Sequence, residues 1–215
     1  QSIYARLRQG YRTIEYPAGK PPEMPERYTG LPKFHREHCL DTECRTCIDC
    51  CPVGAIEKEA ATGTLSLDLG RCIFCRECVA VCPKNVISFT RIFSMAEPRR
   101  NSLILRSIES PAPENFTASR HQLFRHSLKL RQVCAGGCNA CEADTNVLGT
   151  IGYDLGRFGI QFVASPRHAD GLLVTGPVTE NMKEALLKTY EAVPEPKIVI
   201  AVGACAISGG LFREN

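Results

Sequence analysis

Two related cysteine runs restrict this chain more than any other feature. The second reads Cys72-x2-Cys75-x2-Cys78-x3-Cys82-Pro83, and the first closes the same way, with Cys44-x2-Cys47-x3-Cys51-Pro52. CPVGAIE at Cys51 returns as CPKNVIS at Cys82, 31 residues later. A segment so dense in thiols and turn residues is neither a long helix nor a regular strand. It suits a loop that wraps three thiolates round a compact inorganic core, while the cysteine before the proline reaches across to a second core. The spacing implies two cubane iron–sulfur clusters with exchanged fourth ligands, and therefore one-electron chemistry. On that pattern Cys51, Cys72, Cys75 and Cys78 hold one cluster, and Cys44, Cys47 and Cys82 supply three corners of the other.

The first run departs from the pattern where its first ligand belongs, because position 41 is Asp41. Cys39 can serve if the loop carries a two-residue insertion, giving Cys39-x4-Cys44. Alternatively Cys44, Cys47 and Cys50 form the triplet. Cys50 would then abut Cys51 and remove the spacer that turns the last cysteine toward the partner cluster. Cys39 is preferred, with Cys50 as a spare thiol; a three-iron cluster or an Asp41 ligand is the third option. Paired C-x2-C spacings also build structural zinc sites, but two runs ending Cys-Pro with crossed ligands favour iron and sulfide.

The 215 residues allow one or two domains. Net charge is only +3 and the basic residues are dispersed, which disfavours nucleic acid as a partner. No apolar run approaches the roughly 20 residues of a membrane span, and the first residues lack the apolar core of a signal peptide. The cysteine count is odd, at thirteen, and most spacings are metal-ligand spacings, so a reducing, cytoplasmic compartment is expected. Gln1 in place of Met suits a trimmed chain or a piece of a longer one.

Residues 1–33 are proline-rich and read as an extended arm, 34–92 as the cysteine-rich domain, 93–122 as a linker and 123–215 as a second domain. In the last of these, Ser127–Val133, Ile160–Ala164, Gly171–Thr175 and Lys197–Val202 read as strands. Thr179–Tyr190 reads as a helix capped by Thr179, with Met182, Leu186 and Leu187 on one face. Strands alternating with helices imply a doubly wound, flavodoxin-like parallel sheet. The fold class is thus α/β and α+β, a two-cluster ferredoxin-like domain followed by that sheet.

Ligands of such sheets sit beyond the strand C-termini, where this chain places CAGGCNACE, TGPVT and GACAISGG. Cys138-x2-Cys141 follows the first strand and Cys205 the last. A lone C-x2-C also suits a redox dithiol, half a zinc site or two unrelated buried thiols. GACAISGG and TGPVT have neither the lysine nor the glycine spacing of a phosphate loop, so no nucleotide or flavin is expected. His35, His38, His121 and His126 read as solvated or interface residues.

PERYTGLPKFHREHC followed by LDLGRCIFCRECVAVCPKNVI is similar to the ferredoxin-like subunit of formate hydrogenlyase and its two-cluster counterpart in respiratory complex I, over roughly residues 8–92. GGCNACE, RFGIQFVASPRHADGLLVTGPVTENM and PKIVIAVGACAISGG closely resemble the small subunit of group 4, energy-converting nickel–iron hydrogenases and the homologous complex I subunit, over about residues 124–212. The resemblance implies a fusion of two electron-transfer modules. It implies that Cys138, Cys141 and Cys205 ligate a proximal 4Fe–4S cluster. The family's fourth ligand, in a downstream Gly-Cys-Pro-Pro motif, has no counterpart before Asn215, so the domain reads as C-terminally truncated; Cys134 is the nearby candidate. Supporting roles beside that cluster follow for Glu142, Arg167 and His168. The chemical step would occur at a nickel–iron site on a large-subunit partner, leaving no catalytic residue on this chain. Other peripheral-arm and membrane-arm subunits, and a soluble ferredoxin or dehydrogenase, are implied as partners. The complex would sit on the inner face of the cell membrane. The alternatives are a nickel-free, complex I-related oxidoreductase acting on quinone or another acceptor, and a zinc-bound interaction protein.

Overall fold

The computed structural model describes residues 2–10, 12–35, 39, 43–60, 62–107, 124 and 126–213. The chain divides into two compact units, one comprising 1–23 with 118–201 and the other 24–117 with 202–215. A short helix, α1 (Ser2–Gln9), opens the chain. The cysteine-rich unit then runs β1 (Pro32–Phe34), α2 (Thr46–Asp49), β2 (Ile56–Lys58), β3 (Leu65–Asp68), α3 (Glu77–Ala80), β4 (Ile87–Phe89) and β5 (Ile104–Arg106). β1 pairs antiparallel with β4, and β3 lies antiparallel between β2 and β5. β5 falls within the segment expected to be a linker, and completes the sheet along β3.

These elements carry the sequence repeat. α2 and α3 begin 31 residues apart, at Thr46 and Glu77, as do β2 and β4, at Ile56 and Ile87. β1 and β3 begin 33 apart, at Pro32 and Leu65. Two extra residues therefore lie between the first strand and first helix of the first half, the length that Cys39-x4-Cys44 requires. Gly54 and Asn85, equivalent in the repeat, both take left-handed backbone, with φ of 56° and 49°. Glycine and asparagine adopt that conformation at least cost.

Alternation along β3 turns Leu65 and Leu67 inward, where they join Ile56, Val86, Ile87 and Cys78 in one core. The thiols Cys39, Cys47, Cys50, Cys51, Cys72 and Cys82 pack against that core. Leu67 is 1% exposed, so Leu67→Ala should cost about 2–5 kcal/mol, measured as a lowered urea midpoint.

The other unit is built on a parallel sheet in the order β7-β6-β8-β9, from β6 (Leu128–Cys134), β7 (Ile160–Phe162), β8 (Gly171–Thr175) and β9 (Ile198–Val202). Numbered along the chain, that order is 2-1-3-4, the flavodoxin-like winding. Every residue of β8 is buried, as a central parallel strand covered on both faces must be. Helix α4 (Ala140–Val147) follows β6, and α5 (Glu180–Ala192) crosses from β8 to β9. Met182 and Leu186 of α5 pack on the core of Val133, Leu172, Val174 and Val193. Leu187 does not: it is 53% exposed. One residue beyond Leu186, it is rotated off the buried stripe. Helix α6 (Gly203–Ser208) follows β9 directly. Among the described residues no helix is long and apolar enough to cross a membrane.

Candidate metal centres

One pocket of the cysteine-rich unit is lined by Cys51, Cys72, Cys75 and Cys78 over an apolar floor that includes Ile56, Leu67 and Phe89. Three of these thiols come from the second half of the repeat and one from the first. Asp68, at the end of β3, fixes the turn that feeds Cys72. Its carboxylate accepts from both Nη atoms of Arg100, at 2.8 and 2.5 Å, and from the Gly70 N–H at 2.8 Å. Its carbonyl accepts the Cys72 N–H at 3.0 Å. Arg71 ties this turn to the other half by donating Nη1 to the Gly54 carbonyl at 3.1 Å, three residues beyond Cys51. Within the loop, Phe74 and Arg76 take positive φ, 56° and 68°, an unfavourable backbone for such side chains. The turn directs the Phe74 N–H at Cys72 Sγ, 3.4 Å away, and Ala55 N–H points at Cys51 Sγ at 3.3 Å. Such donors favour a charged sulfur.

The electrostatics belong to a metal-free thiol set. Burial, then the neighbouring Cys72, Cys50, Cys75 and Cys51, pushes the Cys78 thiol up to about 12. Burial also raises Cys72, against the pull of the Phe74 N–H. In the other group, burial, then Cys82, Cys39 and Cys44, pushes Cys47 up to about 11. Cys82, Cys39 and Cys44 thus lie within electrostatic reach of Cys47. Burial raises the Cys50 thiol, and Cys51, Cys75 and Glu77 add to the rise. Asp41 and His38 lie outside the described residues, as does His121.

These donor sets fit iron–sulfur clusters. Soft thiolates converge from short loops, backbone N–H groups are aimed at sulfur, and like-charged neighbours leave ionised thiols in need of a cation. Among the described residues no three His, Cys, Asp or Glu side chains are placed to hold a single metal ion. Because ligation requires thiolates, the raised Cys47 and Cys78 have a kinetic consequence. Both exceed the ordinary thiol value of 9.0, so each stays protonated through neutral pH and its thiolate fraction grows about tenfold per pH unit. Chemical reconstitution of metal-free chain should accelerate between about pH 7 and about pH 9, followed by sulfide-to-iron absorbance. A flat rate would contradict this account of the thiols.

The second cysteine pair lies where β6 gives way to α4. Cys134 stands beside Thr175 in the parallel register, so the loop carrying Cys138 and the first turn of α4 carrying Cys141 leave the sheet between β6 and β8. This is the switch point of a 2-1-3-4 sheet. Glycines allow the chain to pack here: a Cβ on Gly136 would meet Thr179 Cγ2 at 2.5 Å, and one on Gly176 the Gly137 nitrogen at 2.6 Å. Glu142, only 8% exposed, accepts the Thr175 hydroxyl. The Cys134 thiol and then Thr175 hold its carboxyl below the ordinary range despite burial. A lowered carboxylate contributes stability at neutral pH that is lost as pH falls through its folded value. Thr175→Val should remove about 2 kcal/mol at neutral pH, with a smaller loss on acidification than in the parent chain, measured by urea titration across pH.

Cys134 thus acts on the Glu142 carboxyl by helping to hold it low. Thr175 had no signal of its own in the sequence; only the register β6–β8 exposes its role. Arg167 and His168, expected beside the proximal cluster, sit in the turn Pro166–His168 just before β8. That turn is at the opposite edge of the sheet from Cys138 and Cys141, with the length of β8 between, roughly 13 Å for five residues. His168 instead borders a surface pocket with Lys129, Asp170 and Glu195. His35 hydrogen-bonds Ser88 at 2.8 Å across β1 and β4. Cys205 lies in α6, which belongs to the cysteine-rich unit. A Cβ on Gly210 would come 2.9 Å from Cys205 Sγ, and one on Gly70 2.6 Å from Ile207 Cγ2, so α6 packs on the turn that precedes Cys72.

Residues 138–215 match the family described as NADH ubiquinone oxidoreductase, 20 Kd subunit, and residues 38–86 match the 4Fe-4S dicluster domain. The "Probable membrane-bound hydrogenase subunit mbhJ" of Pyrococcus furiosus is 51% identical over 83 residues, covering 39% of this chain and 50% of that protein. "Formate hydrogenlyase subunit 7" of Escherichia coli is 43% identical over 100 residues, 46% of this chain and 39% of that protein. A subunit of the NADH-quinone oxidoreductase of Geotalea daltonii is 49% identical over 107 residues, 49% of this chain and 63% of that protein. The chain spans 39% to 63% of the length of these relatives.

Proposed function

From a chain that joins a 4Fe–4S dicluster domain to a domain of the 20 Kd NADH ubiquinone oxidoreductase subunit family, we propose an electron-transfer subunit of a hydrogenase-type or complex I-type assembly. The carrying observation is the pocket lined by Cys72, Cys75 and Cys78 of one half-repeat and Cys51 of the other. This lining supports the crossed ligand set of a two-cluster ferredoxin. Cys39, Cys44, Cys47 and Cys82 are proposed as the companion set. Bound clusters would supply reversible one-electron steps, for which the chain's own residues would supply thiolates, an apolar floor and N–H donors aimed at sulfur.

Cys138, Cys141 and Cys205 are proposed, on the family resemblance, as ligands of a proximal cluster, with a fourth ligand from beyond this sequence. The packing of Ile207 on Gly70, each two residues from Cys205 and Cys72 respectively, supports the Cys51–Cys72–Cys75–Cys78 cluster as the neighbour of Cys205. Electrons would then run between a soluble ferredoxin or dehydrogenase, the Cys39-containing cluster, the Cys72-containing cluster, the proximal cluster and a nickel–iron site on a large-subunit partner. The assembly would be held on the inner face of the cell membrane by other subunits. The likeness to an NADH-quinone oxidoreductase subunit favours a second reading, the same wire serving a nickel-free complex that reduces quinone or another acceptor.

Anaerobic affinity purification from the native cell tests this. Recovery of a large subunit with nickel and two C-x2-C pairs supports the hydrogenase reading, and a large subunit without nickel the second. Recovery of the chain alone, carrying zinc and no sulfide, overturns both.

A further inference from the structure

The pocket of the Cys72 loop has a fifth sulfur beside it. Cys50 caps the C-terminus of α2, and α2 packs against α3, which carries Cys78. Cys50 is half-buried on the same apolar core as Cys51, Cys72 and Cys78. Cys50 immediately precedes Cys51 in the chain. Two details distinguish it from the primary set. Cys51 Sγ accepts the Ala55 N–H at 3.3 Å, whereas Cys50 donates its S–H to the Cys47 carbonyl at 3.4 Å. Cys51 also lines the pocket directly with Cys72, Cys75 and Cys78.

We propose that Cys50 is a reserve ligand, able to take over the cluster corner held by Cys51. The inference rests on the iron–sulfur reading of this pocket. In the exchange, the Cys50 S–H gives its proton to solvent and its thiolate forms one iron–sulfur bond. The iron–sulfur bond to Cys51 breaks, and Cys51 takes up a proton. No electron is gained or lost. Adjacent positions in the chain make the exchange local: the donor shifts by one residue at the end of a one-turn helix, and the three ligands of the Cys72 loop stay in place.

Four full-length proteins decide the matter when purified anaerobically: parent, Cys50→Ser, Cys51→Ser and the double variant Cys50→Ser/Cys51→Ser. Iron, acid-labile sulfide and low-temperature EPR of the reduced protein are measured. Cys50→Ser should match the parent. Cys51→Ser should keep the parent's iron content with an altered EPR signal, and the double variant should lose about one cluster, or about four irons per chain. Native alkylation followed by mass spectrometry gives a second readout. Cys50 should be modified by iodoacetamide in the parent and protected in Cys51→Ser. Equal iron loss in Cys51→Ser and the double variant, or an alkylated Cys50 in Cys51→Ser, overturns the proposal. A parent chain lacking iron and sulfide fails the underlying iron–sulfur reading instead, so the two failures are distinguishable.

Discussion

Replacing Cys39 by serine should remove about four iron atoms per chain while leaving the EPR signal of the Cys72-containing cluster unchanged. Position alone would not single out Cys39, since the second run places its first ligand where the first run has Asp41. The structure supplies two independent reasons. The half-repeats are offset by 33 residues at β1 and β3 but by 31 at the helices, so two extra residues fall between β1 and α2, the insertion that a Cys39 ligand requires. After burial, Cys82, Cys39 and Cys44 are the influences that raise the Cys47 thiol, which favours Cys39 as a member of that set. Asp41→Asn should accordingly leave the iron content unchanged. Iron loss in Asp41→Asn with retention in Cys39→Ser would reverse the assignment.

Gly176→Ala should destabilise the sheet-bearing unit by about 3 kcal/mol, and lower the yield of folded protein with it. Gly176 follows β8 with φ of 84°, a region that costs a residue with a Cβ roughly 1–2 kcal/mol. The new Cβ would also meet the Gly137 nitrogen at 2.6 Å and the Ala135 carbonyl carbon at 3.0 Å. Backbone on both sides cannot yield as a flexible side chain would, so relief must come by pushing the Cys138 loop away from β8. Gly152→Ala is the matched control. Nothing lies within 4 Å of a Cβ there, and its effect should stay within about 0.5 kcal/mol. Urea midpoints of the two variants, compared with the parent, measure the difference. Equal midpoints would mean that the loop is not held as described.

The sheet was legible because its strands are short apolar runs between turn residues, and Gly171–Thr175 is bounded alike in sequence and structure. The two helices that carry Cys141 and Cys205 were not. Glycines at 136, 137, 203 and 209 read as loop, yet they are needed for close approach and left-handed turns beside helices of eight and six residues. Short helices of this kind are set by what they pack against rather than by their own periodicity. The crossed cysteine pattern was legible because ligand spacing is local. The Glu142–Thr175 pair was not, because 33 residues separate partners joined only by strand register. Arg167 and His168 were placed by resemblance. In a parallel sheet, a loop before a strand lies at the opposite edge from a loop after one, and that geometry separates both from the Cys138 loop.

The central claim is that this chain carries iron–sulfur clusters rather than isolated metal ions. Its most direct test is the iron and acid-labile sulfide content of the full chain purified without oxygen. The expected result is iron and sulfide in equal amounts, at least about eight of each per chain from the two sets in the cysteine-rich unit. Zinc in place of iron, with no labile sulfide, would contradict it.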